Sequence, residues 1–580
     1  MIKRLPAILA CTGCLLVMQA EARTVEIKLV ETSDVHGNYY PEDFINRTPA
    51  KGSLARVYSY VDSVRGAMGD GHVVLLDNGD ILQGQPTVYY YNYIDTVAVH
   101  IASQMTDFMG YDAGTIGNHD VETGHKVYDR WIAQKKSPTL GANVVSAETG
   151  EPYLAPYTVV ERDGVRIAVI GLLTPAIPGW LPENLWSGLR FDDMESTASK
   201  WVKHVKETER PDLTVGLFHS GRDSTKTTGN TVENASLLVA KHVPGFDIVM
   251  MGHDHSPFNE TITNDAGEKV VVVNPANNAN RVATVNATFD VADDGNVTLL
   301  SLTPELADMD SFAPDSAFLN QFEPQRREVE KFVSRRIGHI DTTMSTRDAY
   351  FGPSPFIDLI HRLQLAISGA DISFAAPLSF DATIAEGDIH VSDMFNLYKY
   401  ENMLYTMALT GREIKDYLEM SYDQWTNTMQ SPGDHLLRLR DNAGGDDMTH
   451  TGFRYPSYNF DSAAGINYTV DVTKPRGEKI TILSMADGSA FDPDATYKVA
   501  VNSYRGNGGG NLLTQGAGIP VEELPKRILG STDKDLRYYL MEYITEHPEV
   551  KAERADNWKF IPQEIAEPAA KRDRMLLFGE

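Results

Sequence analysis

Between residues 25 and 291 the chain repeats one texture: a short β-branched or apolar run, a polar loop rich in Asp, His, Asn and Gly, and then a more helical stretch. The clearest runs are residues 25–30, 72–76, 166–170, 213–218 and 247–251. Several are apolar throughout, as strands buried on both faces of a sheet must be. The pattern predicts a layered α/β domain. Across residues 310–340 the texture becomes a charged helix, with Leu319, Phe322, Val329, Phe332 and Val333 apolar among Glu, Gln, Arg and Lys. Asp315 or Ser316 is its expected cap, and Pro324 is expected to kink or split it. This segment reads as an interdomain helical linker. A second α/β unit is predicted after Tyr350, with strands near 372–375, 403–409, 466–472 and 497–501. Its helix at 412–422 carries Ile414, Tyr417, Leu418 and Tyr422 at helical spacing.

A length of 580 residues predicts two to four domains, and 42% hydrophobic with 23% charged residues is ordinary for a folded globular chain. Lys plus Arg total 52 against 80 Asp plus Glu, a formal charge of -28. Such a surface repels long nucleic acid, since phosphate contacts dominate that affinity. A small anion can still bind where cations supply local positive charge.

Residues 1–22 read as a cleaved export signal: Lys3 and Arg4, an apolar stretch over 5–18, then the small-x-small ending Ala20-Glu21-Ala22. The stretch is too short to span a bilayer and holds Pro6 and Gly13. A periplasmic or secreted protein with no transmembrane segment is expected. Both cysteines, Cys11 and Cys14, lie in the leader, so the remaining chain has no thiol for a disulfide.

Five loops after apolar runs carry metal-capable groups: Asp34-Val35-His36, Asn78-Gly79-Asp80, Gly117-Asn118-His119-Asp120, His219 and Gly252-His253-Asp254-His255. Ligands in open α/β sheets bind at the carboxyl ends of strands, so these distant loops can converge. Asp34 and His36 can chelate together, Asp80 can bridge two cations, Asn118 offers an amide oxygen, and His219, His253 and His255 offer imidazoles. Mixed N and O ligation without thiolate suits Mn, Zn, Fe or Co. A single such His or Asp is more often an ordinary loop residue. The signal lies in the set.

With these motifs and the stretch Asn78-Gly79-Asp80-Ile81-Leu82-Gln83-Gly84, the sequence resembles the calcineurin-like metallophosphoesterases, and within them the secreted bacterial nucleotidases with a 5'-nucleotidase-type C-terminal domain. The resemblance implies an α-β-β-α sandwich over residues 23–310, a linker over 311–345 and a smaller α/β nucleotide-binding domain over 346–580. It implies two divalent ions, one held by Asp34, His36, Asp80 and His255 and the other by Asp80, Asn118, His219 and His253. His119 would not be a ligand; it would stabilise phosphoryl charge or donate a proton. Glu122, where the family usually has Asp, would orient it.

Tyr400, in Tyr398-Lys399-Tyr400-Glu401-Asn402, and Tyr504, before the run Gly508-Gly509-Gly510, are loop aromatics beside strands. Related nucleotidases clamp a base at the matching positions, with Asn402 near the ring edge. The glycine run lacks the Lys-Ser/Thr ending of a P-loop and reads as a permissive loop.

One departure separates branches of the family. The arginine that usually follows the first C-terminal strand is missing from Phe374-Ala375-Ala376-Pro377-Leu378-Ser379-Phe380. Ala375-Ala376-Pro377, Tyr458-Asn459-Phe460-Asp461 and Gly465-Ile466-Asn467-Tyr468 are instead similar to the 2',3'-cyclic-nucleotide 2'-phosphodiesterase/3'-nucleotidase branch. The expected activity is release of nucleoside and phosphate from such nucleotides. A 5'-nucleotidase or UDP-sugar hydrolase is the competing enzyme, and a nucleotide-binding surface protein with a vestigial metal site is the non-enzyme alternative.

Overall fold

A computed structural model describes residues 23–225, 227–228, 231–440 and 452–580; the expected leader and both cysteines lie outside the described residues. The apolar runs become strands Arg23–Thr32, Val73–Asp77, Val165–Leu173, Leu213–His219 and Ile248–Met251. They belong to two six-stranded sheets that pack face to face. Ile27, Leu29, Val74 and Leu76 from one sheet meet Ile167, Val169, Val215, Leu217 and Met250 from the other in a single buried cluster. This is the layer pairing that two-faced apolar strands require.

The outer face of each sheet is covered by helices. Leu54–Met68 and Ile101–Met109 share one buried cluster with Val30 and Leu75. Met194–Thr208 and Ser236–His242 cover the other sheet beside Ile170 and Val249. The result is an α-β-β-α sandwich.

The charged helix spans Ser316–Val333 with Asp315 as its N-cap, the carboxylate accepting from the Phe318 N–H. It runs unbroken through Pro324, contrary to the expected split. Phe318, Phe322, Val329 and Val333 are buried in the first domain's core, and that packing holds the helix across the bond the proline lacks. The helix is thus part of the first domain's outer layer. The following strand, Arg336–Ile340, pairs with Gly387–His390 and Glu549–Val550 of the second.

The second domain is built on a five-stranded sheet containing Ile372–Ala375, Met403–Thr410 and Thr496–Asn502. The helix Gly411–Trp425 lies over it, with Phe374 stacked on Tyr417 at 4.2 Å. No described helix is long and apolar enough to cross a membrane. The two domains touch through polar contacts: Tyr93 donates to Glu401 (2.8 Å) and the buried Tyr89 to Asp535 (3.2 Å).

Candidate metal centre and substrate cavity

All seven expected ligands stand at carboxyl ends of strands in the two facing sheets. Asp34 and His36 follow Arg23–Thr32, Asp80 follows Val73–Asp77, Asn118 follows Ala113–Thr115, His219 ends its strand, and His253 and His255 follow Ile248–Met251. Strand direction makes them converge, because Arg23–Thr32, Val73–Asp77 and Ala113–Thr115 are parallel neighbours, as are Val165–Leu173, Leu213–His219 and Ile248–Met251. Two groups able to hold a cation result: Asp34, His36 and His255, and Asp80, His219 and His253. Asn118 Oδ1 adds to the second, 3.1 Å from His219 Nε2 and 2.8 Å from His253 Nδ1.

Asp34, His36, Asp80, His253 and His255 all adopt positive φ, between 49° and 72°. Left-handed backbone at non-glycine residues costs free energy and persists where surrounding contacts over-determine it. At Asp80 that restraint comes from Asp120. Its carboxylate accepts from the N–H groups of Asp80, Ile81, Leu82 and Gly117, tying two ligand loops together. At Gly117 a Cβ would lie 2.1 Å from Asp80 Oδ1, so only glycine permits the approach.

The donor set fits divalent cations. His36 Nε2 and His255 Nε2 point at one another 3.0 Å apart, and Asp34 Oδ1 lies 3.2 Å from His255 Nε2. Asp80 Oδ2 is fully buried 3.2 Å from His219 Nε2, yet accepts no well-directed hydrogen bond. Each imidazole's other nitrogen meets an outer partner: His36 Nδ1 the Gln83 carbonyl, His219 Nδ1 the Asn78 carbonyl, His255 Nδ1 the Asn277 amide, and His253 Nε2 the Glu233 carboxylate. At His36, His219 and His253 the outer acceptor places the ring proton outside and leaves the inner lone pair for a metal, whereas the Asn277 amide N–H donates to His255 Nδ1.

The charges agree. Burial opposes ionisation of Asp80, but the imidazoles of His219, His119 and His36 hold its carboxyl well below the usual range. Burial also opposes charge on His219, yet Asp80 and Asp34 outweigh it and raise the ring to about 10. A cage negative enough to draw a proton onto its own histidine is one a cation can fill instead.

His119 and Glu122 lie at this cage. The His119 N–H donates to Asp80 Oδ1, and its Nδ1 is 2.6 Å from Glu122 Oε2, a buried carboxylate. Burial disfavours the imidazolium, but Asp80 and Glu122 raise His119 to about 9.

Two cavities flank His119 and Tyr400. One, of about 450 Å³, opens on the His36 and His255 side. The other, of about 350 Å³, joins Asn118, His119 and His253 to Tyr400, Asn402, Tyr458 and Tyr504 of the second domain. Tyr458 stands at right angles to both Tyr400 (6.5 Å between ring centres) and Tyr504 (6.2 Å), closing the third side of an aromatic box. The buried Arg505 fixes that box: Nη2 donates to the Tyr458 carbonyl, Nη1 to the Gly509 carbonyl and Nε to Asp461. A Cβ on Gly510 would meet Arg505 Nη1 at 2.1 Å, which accounts for the permissive glycine run. Tyr458, Trp180 and Glu233 also line this cavity and were not foreseen as site residues. Tyr458 carried a signal as an aromatic in a quoted motif, whereas Glu233 lies in no motif at all.

Comparison with known proteins agrees with this geometry. Residues 27–257 match the family Calcineurin-like phosphoesterase, and residues 336–515 match 5'-nucleotidase, C-terminal domain. The chain is 26% identical over 628 residues to a Yersinia enterocolitica 2',3'-cyclic-nucleotide 2'-phosphodiesterase/3'-nucleotidase, covering 97% of this chain and 92% of that protein. It is 25% identical over 605 residues to the Bacillus subtilis trifunctional nucleotide phosphoesterase YfkN, covering 94% of this chain but spanning only 39% of the relative. The fold is shared with a 5'-nucleotidase precursor from Thermus thermophilus, with TM-score 0.63, 22% identity, and coverage of 93% of this chain and 99% of that one.

Proposed function

We propose that this chain, which joins a calcineurin-like phosphoesterase domain to a 5'-nucleotidase C-terminal domain and is a metal-dependent hydrolase, acts on 2',3'-cyclic nucleotides and 3'-nucleotides, releasing nucleoside and phosphate. The observation that carries this reading is the lining of the cavity that joins His119 and His253 to Tyr400, Tyr458 and Tyr504. Among its described residues there is no lysine or arginine, while Glu122 and Glu233 are present. Leu378 lines it from the segment where the usual arginine is missing. A cyclic diester carries one negative charge rather than two and needs less cationic help beyond the metals. The name of the Yersinia relative supports the same reading.

Asp34, His36, Asp80 and His255 would hold one divalent ion, and Asp80, Asn118, His219 and His253 the second. Ions at those places supply polarisation of the phosphoryl group and a water acidic enough to serve as nucleophile. Water adds to phosphorus in line with the departing ester oxygen, and the phosphorus–oxygen bond to that oxygen breaks. His119, held through Nδ1 by Glu122, presents Nε2–H to the leaving alkoxide, which departs as a hydroxyl. A cyclic diester opens first to the 3'-monoester, and a second water then releases phosphate. Tyr400 and Tyr504 would stack on the base, with Asn402 at its edge. Export to the periplasm or beyond belongs to the same reading, supported by the apolar stretch over 5–18 and its Ala20-Glu21-Ala22 ending.

Phosphate release from 2',3'-cyclic AMP, 3'-AMP and 5'-AMP by one metal-loaded preparation tests the proposal. Turnover of the first two well above the third is expected. Strict preference for 5'-AMP overturns it in favour of a 5'-nucleotidase.

A further inference from the structure

Of the four imidazoles in the cage, three have neutral outer partners: two backbone carbonyls and the Asn277 amide. His253 alone meets a carboxylate, with Nε2 3.2 Å from Glu233 Oε1. We propose that Glu233 is a positioning residue that locks His253 with Nδ1 facing the ion shared with Asp80, Asn118 and His219, making that position the tighter of the two. The inference rests on the two-ion reading and goes beyond it by ranking the sites.

The placement of Glu233 is built, not incidental. Its backbone carbonyl accepts from Thr174 Oγ1 (2.8 Å) and Ser220 Oγ (2.9 Å), the latter one residue beyond ligand His219. The next residue, Asn234, accepts from the Gly221 N–H. The segment is thereby fastened to the loop that follows the His219 strand. On its flank, the Trp180 ring lies over His253 with centres 5.5 Å apart and planes 25° apart. The indole covers one face of the His253 ring, and Asn118 Oδ1 lies 2.8 Å from its Nδ1. Glu233 then decides which nitrogen carries the proton: a carboxylate accepts from Nε2–H, so Nδ1 keeps its lone pair. An anionic acceptor also makes the ring a stronger donor than a carbonyl or amide does.

The test is metal retention, not turnover. Wild type, Glu233→Gln and Glu233→Ala are loaded with Zn2+ and dialysed against graded chelator; zinc per chain is measured, and thermal unfolding is followed with and without chelator. Wild type is expected to lose its two ions in separate steps. Glu233→Ala should release the more tightly held ion at about 10- to 100-fold lower chelator strength, with the other step unmoved, and Glu233→Gln should fall between. Equal unfolding midpoints of the fully chelated proteins would place the effect in metal binding rather than folding. If Glu233→Ala does not fold, Glu233→Gln carries the comparison. Two-step release unchanged in the folded variants overturns the assignment of Glu233 while leaving two ions in place. Wild type that takes up fewer than two ions overturns the two-ion reading and the ranking with it.

Discussion

His119 and Glu122 face each other across one turn of the short helix Asn118–Glu122, with Nδ1 2.6 Å from Oε2. Because Glu122 is buried and the His119 backbone is tied to Asp80 Oδ1, the ring has little freedom to turn. The two residues should therefore act as a unit. His119→Asn is expected to lower kcat by about 10²- to 10⁴-fold with metal content intact, and Glu122→Gln by less. The double variant should be little worse than His119→Asn alone. Additive losses in that cycle would separate the two roles.

On the proposed two-ion reading, Asp80 is the residue whose loss should touch both ions. Oδ2 faces His219 while Oδ1 accepts from the His119 N–H, and Gly117 and Asp120 hold its loop in place. Asp80→Asn is expected to lower bound metal at both positions and to cut kcat by on the order of 10³-fold or more. Metal analysis beside the rate decides it. A variant with normal metal and normal rate would remove Asp80 from the centre.

On the proposed reading Tyr400 and Tyr504 bind the base and take no part in the chemistry. Stacking on one ring is worth about 1 to 3 kcal/mol, so Tyr400→Ala or Tyr504→Ala should raise KM for nucleotides by roughly 5- to 150-fold. A small aryl phosphate, which has no base to place in the box, should be turned over as by wild type. Equal losses on both substrates would count against a base clamp.

What was legible in the sequence follows from where chemistry sits on the fold. Each candidate ligand lies within a few residues of an apolar strand whose direction the pattern reveals, so the convergence of Asp34, Asp80, Asn118, His219 and His253 could be anticipated without a structure. The helices and strands of the second domain were legible for the same reason of periodicity. The illegible parts are made by tertiary contact. Nothing local announces positive φ at Asp34, His36 or Asp80, because propensity disfavours it; at Asp80 the Asp120 clasp helps to sustain it. Glu233 reaches His253 from twenty residues upstream, through a segment anchored on Thr174 and Ser220. Pro324 misled because helix rules omit the core that Phe322 and Val329 enter on either side of it.

Glu401 is expected to give the domain contact a pH dependence. It lies beside Tyr400 in sequence, is buried, accepts from Tyr93 and faces Arg537 at 3.5 Å. Burial raises its carboxyl to about 7 despite the attraction of Arg537, with Asp535 and Glu122 adding repulsion and the Tyr93 hydroxyl opposing it. The ordinary value for glutamate, which the unfolded chain takes, is about 4.3. Between those two pH values the folded protein holds the extra proton, so this group's contribution to stability is complete at low pH and is lost as pH rises through about 7. The loss is of the order of 3 kcal/mol. Glu401→Gln cannot titrate. Unfolding measured from pH 5 to pH 8 should show wild type losing stability relative to the variant as pH increases. If wild type instead gains on the variant, the Arg537 ion pair outweighs burial and Glu401 is charged in the folded protein.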